Sequence, residues 1–127
     1  MNKSELQERM TVFAVRIIKM VDSLPSTISG MAVARQIIRS GTSPSANYRA
    51  ACIAKSDKDF INKLKMVEEE LDETSHWLDI IMRSEMVKAS RIQSLYQECN
   101  ELLSIIVKSI ITTKNRMKTE EIEKLSK

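Results

Sequence analysis

The chain has 127 residues, enough for one domain whose folding buries roughly two-thirds of the unfolded surface without disulfide or metal staples. Aromatic residues make up 4% and Gly and Pro number two each, so the composition favours helix formers and excludes a strand-rich fold. The net charge of +3 is mild enough for a solvated surface of mixed charge, and no apolar run approaches the roughly 18 residues that a membrane span needs.

Two helices are predicted in the first third of the chain. Ser4 and Gln7 have the spacing of a capping box, and apolar residues then recur at intervals of three and four until the first helix ends near Ser23. A turn containing a proline follows. Ser26 or Thr27 is expected to cap the second helix, which continues the same apolar rhythm.

The second helix contains both of the chain's central helix breakers. Gly41 has no fixed φ preference, and Pro44 lacks an N–H and clashes with the preceding turn. The run from Ala46 to Ala54 is again compatible with a helix. We therefore expect one long second helix with a kink between Gly41 and Pro44, and the alternative is two separate helices.

The third helix is expected to be the longest. Ser56 and Asp59 form a second capping box, and an almost unbroken heptad seam follows from Phe60 to Ile81. Four further apolar residues widen this seam beyond one stripe: Ile61, Met66, Trp77 and Ile80. Because a helix apolar over more than its bundle-facing stripe usually has a second partner, this face predicts self-association.

The fourth helix follows a short connection between Arg83 and Lys88. A third capping box at Ser90 and Gln93 predicts its start, and its core face runs from Ile92 to about Lys114. The remaining segment keeps helix-forming residues but has little to bury. We expect it to be a frayed or disordered tail over residues 115–127.

Four helices joined by short turns predict an all-α, antiparallel up-down-up-down four-helix bundle over residues 1–114. The two cysteines, Cys52 and Cys99, are expected to be buried free thiols, because the charged N-terminus does not have the pattern of a secretory signal. This favours a reducing, cytoplasmic location.

Catalytic and metal-binding patterns are weak. Glu73 and His76 have the Glu-x-x-His spacing of di-iron bundles, but such a site needs a second motif, and the chain has one His. The single His also leaves no supported Ser-His-Asp relay, and two glycines cannot form a phosphate loop. We therefore expect no enzyme activity, no metal and no cofactor.

Polar residues around the expected kink are the best candidate site. Two antiparallel helices bring this region opposite the second half of the third helix, where Arg and Glu can pair and fix register. The candidate polar network comprises Gln36, Arg39, Asn47, Arg49, Glu70, Glu73 and Trp77. The alternative is a ligand or nucleic-acid surface, with Tyr48 or Trp77 stacking on bases. The candidate nucleic-acid contacts are Arg35, Arg49, Lys55, Lys58, Lys63 and Lys65.

The chain resembles the four helix bundle protein family, also called the 23S rRNA intervening-sequence proteins, from Phe13 to about Ile110. The resemblance rests on QIIRSGTS at 36–43, ANYRAA at 46–51, KS at 55–56, DFI at 59–61, KL at 63–64, EE at 69–70, DE at 72–73 and WL at 77–78. The chain departs from the family pattern in having Ala50 where many relatives have Glu, Pro44 and Ser45 in place of an apolar-Gly pair, and Ile53 where a base is common. These departures weaken the transfer of a polar site to the second helix.

The resemblance implies a left-handed antiparallel bundle that assembles as a homopentamer. The family includes proteins encoded within rRNA insertions, and it is similar to the accessory proteins of diversity-generating retroelements, which are basic pentamers that bind reverse transcriptase and nucleic acid. By this resemblance, the wide apolar face of the third helix becomes a subunit interface, and the partner is RNA or a nucleic-acid-handling protein. The alternative is a purely structural or protein-partner adaptor that binds no nucleic acid.

Overall fold

The computed structural model describes residues 1–126, and helices account for most of them. The four helices are α1 at Lys3–Val21, α2 at Ile28–Cys52, α3 at Asp57–Arg83 and α4 at Ala89–Leu125. Each helix packs against the next in the chain, and α4 returns to α1, so that the four surround one core. This architecture confirms the predicted all-α four-helix bundle.

One apolar stripe from each helix forms the core. The side chains of Ile17, Ile37, Leu71 and Ile106 are completely buried, and each such burial stabilises the fold by about 1.5–3 kcal/mol. The heptad seam predicted for the third helix lies in this core. Its fully buried members are Leu64, Val67, Leu71, Thr74, Leu78 and Ile81.

The second helix is continuous through both expected breakers. Pro44 lies inside α2, whose bounds are Ile28–Cys52, so the alternative of two separate helices is wrong. A Cβ atom on Gly41 would lie 2.8 Å from Cγ2 of Ile17, so this glycine permits the close approach of α1 and does not end a helix. The kink itself stays a prediction.

Two of the expected helix caps are confirmed. Thr27 precedes α2, and its side-chain oxygen accepts a hydrogen bond from the Gly30 N–H at 3.0 Å. Ser56 precedes α3 and accepts in the same way from the Asp59 N–H at 3.1 Å. Both caps were predictable because the bond joins residues three positions apart.

Two other cap predictions are wrong. Asn2 caps α1 in place of Ser4, because its side chain accepts from the Glu5 N–H at 2.8 Å and lets the helix begin at Lys3. The fourth helix starts after Lys88, which has no side-chain cap hydrogen bond, and Ser90 already lies inside the first turn.

The fourth helix is longer than expected and exceeds α3 in length. It continues to Leu125, so the predicted end near Lys114 is wrong. The predicted frayed or disordered tail is also wrong for residues 115–125. Arg116 explains part of the difference, because its guanidinium pairs with Asp57 at the start of α3 at 2.8 Å. Beyond Met117 every described side chain is exposed, and Lys127 lies outside the described residues.

The two cysteines are free thiols, as predicted. Cys99 is buried, and its Sγ donates to the Leu71 carbonyl at 3.3 Å, whereas Cys52 is only half-buried. Burial raises the pKa of Cys99 to about 12, so this thiol stays protonated at neutral pH. In the described part of the chain, no helix is both long and apolar enough to cross a bilayer.

Candidate functional site

Four of the seven candidate network residues lie together on the surface between α2 and α3. The Arg39 guanidinium lies between two carboxylates, with Nη1 at 3.0 Å from Oε2 of Glu70 and Nη2 bonded to Oε2 of Glu73. The Trp77 indole N–H donates to the same Glu73 oxygen at 3.1 Å. We call Arg39, Glu70, Glu73 and Trp77 the α2–α3 network.

The charges of this network hold one another in their ionised forms. The hydrogen bond from Arg39 lowers the pKa of Glu73, and the Trp77 N–H adds to the shift. The same hydrogen bond raises the pKa of Arg39. Because 51% of the Arg39 side chain is exposed, water and salt screen these contacts, and their contribution to folding is small.

A buried hydroxyl pair lies directly beneath the network. Ser40 and Thr74 are fully buried, and their hydroxyl oxygens are 2.9 Å apart. The Thr74 hydroxyl also donates to the backbone carbonyl of Glu70 at 2.7 Å, so the hydroxyl pair is bonded to the turn of α3 that carries Glu70. Thr74 lies within the heptad seam predicted from Phe60 to Ile81, and a Thr at a seam position was a usable signal for this pair, whereas Ser40 gave none.

Gln36 and Asn47 are not joined to the α2–α3 network. Gln36 is exposed and Asn47 is half-buried, and within residues 1–126 neither side chain forms a hydrogen bond. Their membership of a polar network therefore has no contact to support it. Both lie on α2, Gln36 within one turn of Arg39 and Asn47 eight residues after it, but neither donates to nor accepts from the α3 carboxylates.

Arg49 is placed differently from the sequence expectation. It lines a shallow cleft with the first half of α1, where the neighbours are Ser4, Glu5, Gln7, Glu8 and Thr11. It follows Arg39 by ten residues, which moves the side chain about 15 Å along α2 and turns it by about 80° around the axis. The expectation that Arg49 faces Glu70 and Glu73 is therefore wrong.

The six candidate nucleic-acid contacts are accessible but do not form one patch. None of them forms an ion pair within residues 1–126, and five are exposed, with Lys63 half-buried. Lys55 and Lys58 lie together at the α2–α3 connection, whereas Arg35 lies about 25 Å away along α2. Lys63 and Lys65 leave α3 about 160° apart around its axis, because each residue turns a helix by about 100°.

The Glu-x-x-His pair is used for packing. Glu73 already accepts from Arg39 and Trp77, and the His76 ring contacts the Trp77 ring edge-on at 5.0 Å between centroids. In the part of the chain that the structure describes, no three His, Cys, Asp or Glu residues are grouped to hold a metal ion.

The wide apolar face of α3 is largely covered within the chain. Ile61 belongs to the core, Trp77 and Ile80 are half-buried, and Met66 alone of the four widening residues is exposed, at 46%. This follows from the packing of α3 between α2 and α4, which cover it on two sides. The basis for placing a subunit interface on α3 is therefore weaker than the sequence pattern indicated.

Six exposed apolar side chains lie on α1 and α2, and three more lie on α4. We call five of the six on α1 and α2 the α1–α2 strip, and its members are between 38% and 48% exposed: Val12, Val15, Ile18, Met31 and Ile38. Ile18 and Ile38 each lie within one turn of the contact between Ile17 and Gly41, where the two helices approach most closely. The apolar rhythm of the second helix included Met31 and Ile38, whereas Val12, Val15 and Ile18 fall outside the apolar series of the first helix, so the sequence pattern did not indicate this strip.

The fold and the geometry define an all-α bundle with charged and apolar features on its helix faces. The family model of the 23S rRNA-intervening sequence proteins matches residues 2–108. The chain therefore belongs to this family, which confirms the resemblance drawn from the motifs between residues 36 and 78.

A solved structure supports the same placement. It is that of a protein of unknown function from the S23 ribosomal protein family of Bacteroides thetaiotaomicron VPI-5482, and it is similar to this chain at 33% identity with a TM-score of 0.77. The similarity covers 83% of this chain and 97% of that one. A comparison with curated proteins found no match.

Proposed function

We propose that this protein is a non-enzymatic homo-oligomeric scaffold that binds RNA. The observation that carries the proposal is the α1–α2 strip, because half-exposed apolar side chains on two neighbouring helices favour burial against a second protein surface. A second copy of the chain is the economical partner, and the resemblance implies that the assembly is a homopentamer.

The RNA-binding half of the proposal rests on unpaired cations. Four arginines, at positions 9, 39, 83 and 116, pair with carboxylates, whereas none of the six candidate contacts forms an ion pair with a residue between 1 and 126. Lys55 and Lys58 are the strongest pair, because Lys55 lies in the α2–α3 connection, Lys58 lies in the first turn of α3, and both are exposed. Repetition of this pair in an oligomer would multiply a weak phosphate-binding surface. The family's description, as 23S rRNA-intervening sequence proteins, is consistent with RNA as the ligand.

The scaffold half is tested by counting subunits. Native mass spectrometry and light scattering of the purified chain should give a multimer, and Val15→Asp should shift it towards monomer by burying a charge in the interface. Ile111→Asp is the matched control, since Ile111 is exposed to a similar degree on α4, away from the strip. A monomeric wild-type protein at micromolar concentration, or equal effects of the two variants, would contradict the proposal.

The RNA half is tested by filter binding across a salt series. Affinity should fall steeply with salt, and the double variant Lys55→Gln/Lys58→Gln should lower the logarithmic salt slope by about 0.7–0.9 for each lost phosphate contact. A double variant on the exposed last turns of α4, Lys118→Gln/Lys124→Gln, removes the same charge elsewhere and should leave the slope unchanged. Absence of binding at low salt would sink this half while leaving the scaffold intact.

The second candidate is a protein-partner adaptor without RNA binding. The observation that favours it is the scatter of the six basic residues, since Lys63 and Lys65 emerge from opposite flanks of α3. Charge reversal at these two lysines that breaks the oligomer and leaves RNA affinity unchanged would select this candidate.

A further inference from the structure

The end of the bundle where α1 begins contains an open cleft of about 710 Å³. It lies between the first residues of α1, the α2–α3 connection and the second half of α4. We call it the end cleft, and its principal walls are formed by Leu6, Tyr48, Lys55, Phe60, Lys108 and Thr112. Ligand pockets in proteins usually have volumes of about 300–1,000 Å³, so the end cleft has the size of a small-molecule site.

Positive charge dominates the rim of the end cleft. Four basic residues line it, at positions 3, 55, 108 and 116, against one acidic residue, Asp57. Asp57 is occupied by Arg116, and Lys3 lies over the Phe60 ring with Nζ 4.8 Å from the centroid. Lys55 and Lys108 form no ion pair in residues 1–126, so these two cations are available to a ligand.

The floor of the cleft is apolar and includes one phenol. Leu6 and Tyr48 are each 4% exposed, and Phe60 is half-buried. The Tyr48 hydroxyl lies beside the Cys52 thiol. Burial raises the pKa of Tyr48, so at neutral pH the phenol keeps its proton and can donate it in a hydrogen bond to an acceptor in the cleft.

One wall of the cleft lies beyond the part of the chain that matches the family. The family model ends at residue 108, and Ser109, Thr112, Thr113 and Arg116 continue the lining past that point. The ion pair between Arg116 and Asp57 fixes this extension of α4 against α3. The end cleft is therefore built partly from a segment that the family match does not include.

We propose that the end cleft binds a small organic anion, with its phosphate or carboxylate head at Lys55 and Lys108 and an aromatic or acyl body on the apolar floor. An inorganic anion would meet the lysines but leave the floor unused. A neutral apolar molecule would leave two cations without a partner. This site is separate from the proposed oligomer interface. It shares Lys55 with the candidate RNA contacts, whereas Lys108 and Thr112 are not among them.

Isothermal titration calorimetry of the full chain with 1-naphthyl phosphate tests the proposal. Inorganic phosphate and 1-naphthol, the head and the body alone, should each bind at least roughly tenfold more weakly, because each makes only part of the contacts. 1-Naphthoate shows whether the head must be a phosphate: binding comparable to that of 1-naphthyl phosphate would mean that either anion suffices.

Two variants with matched controls locate the ligand. Lys108→Gln should weaken 1-naphthyl phosphate by roughly tenfold, the usual loss for one charge-assisted hydrogen bond. Lys114→Gln removes the same charge from the same helix outside the cleft and should have no effect. Thr112→Trp should block the cleft, whereas Thr119→Trp should not, and both positions are exposed, so neither change enters the core.

Three results would overturn the proposal. The first is no heat of binding for 1-naphthyl phosphate at millimolar concentration. The second is equal weakening by Lys108→Gln and Lys114→Gln, which would mean diffuse attraction. The third is an RNA oligonucleotide that displaces the probe and is itself weakened equally by Lys108→Gln, which would make the cleft part of an RNA surface.

Discussion

The contact between α2 and α3 and the contact between α1 and α4 contain the same charged arrangement in two different environments. We call these two contacts the α2–α3 seam and the α1–α4 seam. In each, one arginine bridges two glutamates three residues apart on the neighbouring helix. Arg9 bonds Glu98 through Nε at 2.9 Å and Nη2 at 2.7 Å, and its Nη2 is 2.9 Å from Glu101. Arg39 has the corresponding position between Glu70 and Glu73.

The two seams differ in how far water reaches the arginine. The Arg9 side chain is 25% exposed and Arg39 is 51% exposed. The ion pair of Arg9 with Glu98 is also bidentate, so it fixes the orientation of the guanidinium and carboxylate planes. Because the Arg fork is preorganised, less side-chain entropy is lost for each hydrogen bond formed. The α2–α3 seam relies instead on the buried hydroxyls beneath its arginine. Identical chemistry therefore contributes differently to folding, and burial decides how much.

The largest effect is expected from removing Arg9. Arg9→Met keeps the apolar stem and should lower the free energy of unfolding by about 1.5–3 kcal/mol, because Glu98 loses a charged partner in a half-buried place. Arg39→Met is the matched change in the other seam and should cost less. Urea unfolding of both variants measures the difference, and an equal loss from the two would contradict the ranking by burial.

The next largest effect is expected beneath the α2–α3 network. Thr74→Val removes a hydroxyl and leaves that of Ser40 buried without its partner, which should cost about 1–3 kcal/mol. The double variant Ser40→Ala/Thr74→Val removes both hydroxyls and should recover part of this loss. A double-mutant cycle by urea unfolding gives the coupling energy, and strictly additive losses would show that the two hydroxyls do not depend on each other.

A smaller effect is expected from acidification of the α2–α3 network. Arg39 lowers the pKa of Glu73 in the folded chain, so near that pKa the folded chain binds fewer protons than the unfolded chain. The resulting stabilisation is fully present above the ordinary pKa of 4.5. It should disappear as the pH falls through the lower folded value. The stability difference between wild type and Glu73→Gln, measured by thermal melts, should therefore shrink below pH 4.5. A difference that grows in acid would contradict this sign.

The smallest effect is expected at Ser43. Its Oγ is the one buried side-chain polar atom in the described residues that has no hydrogen-bond partner. Ser43→Ala removes an unsatisfied group and improves helix propensity, so stability should stay within about 0.5 kcal/mol or rise. A loss above 1 kcal/mol on urea unfolding would show that the hydroxyl is satisfied in solution.

The ion pairs of the α2–α3 seam are predictable from the sequence, whereas those of the α1–α4 seam are not, and the reason is physical. Arg39 and the two α3 glutamates lie on consecutive helices joined by a short connection, so counting along two antiparallel helices sets their register. Arg9 and Glu98 are 89 residues apart, and their register depends on the length of every intervening helix and turn. Local patterns do not contain that information.

The same distinction accounts for the remaining successes and errors. The caps at Thr27 and Ser56 need only the three following residues, and both were predictable. The end of α4 was not, because the helix is held at Arg116 by Asp57, a residue 59 positions earlier. The end cleft escaped for the same reason, since its walls come from all four helices and the α2–α3 connection.

The contact between Gly41 and Ile17 makes the spacing of α1 and α2 a property of two positions together. The ideal Cβ of residue 41 would lie 2.8 and 2.9 Å from the two γ carbons of Ile17, so the isoleucine occupies the volume that the glycine leaves free. The fold should tolerate Gly41→Ala only when a smaller side chain replaces Ile17. These two positions should therefore vary as a pair during divergence, and variants at them should show non-additive stabilities.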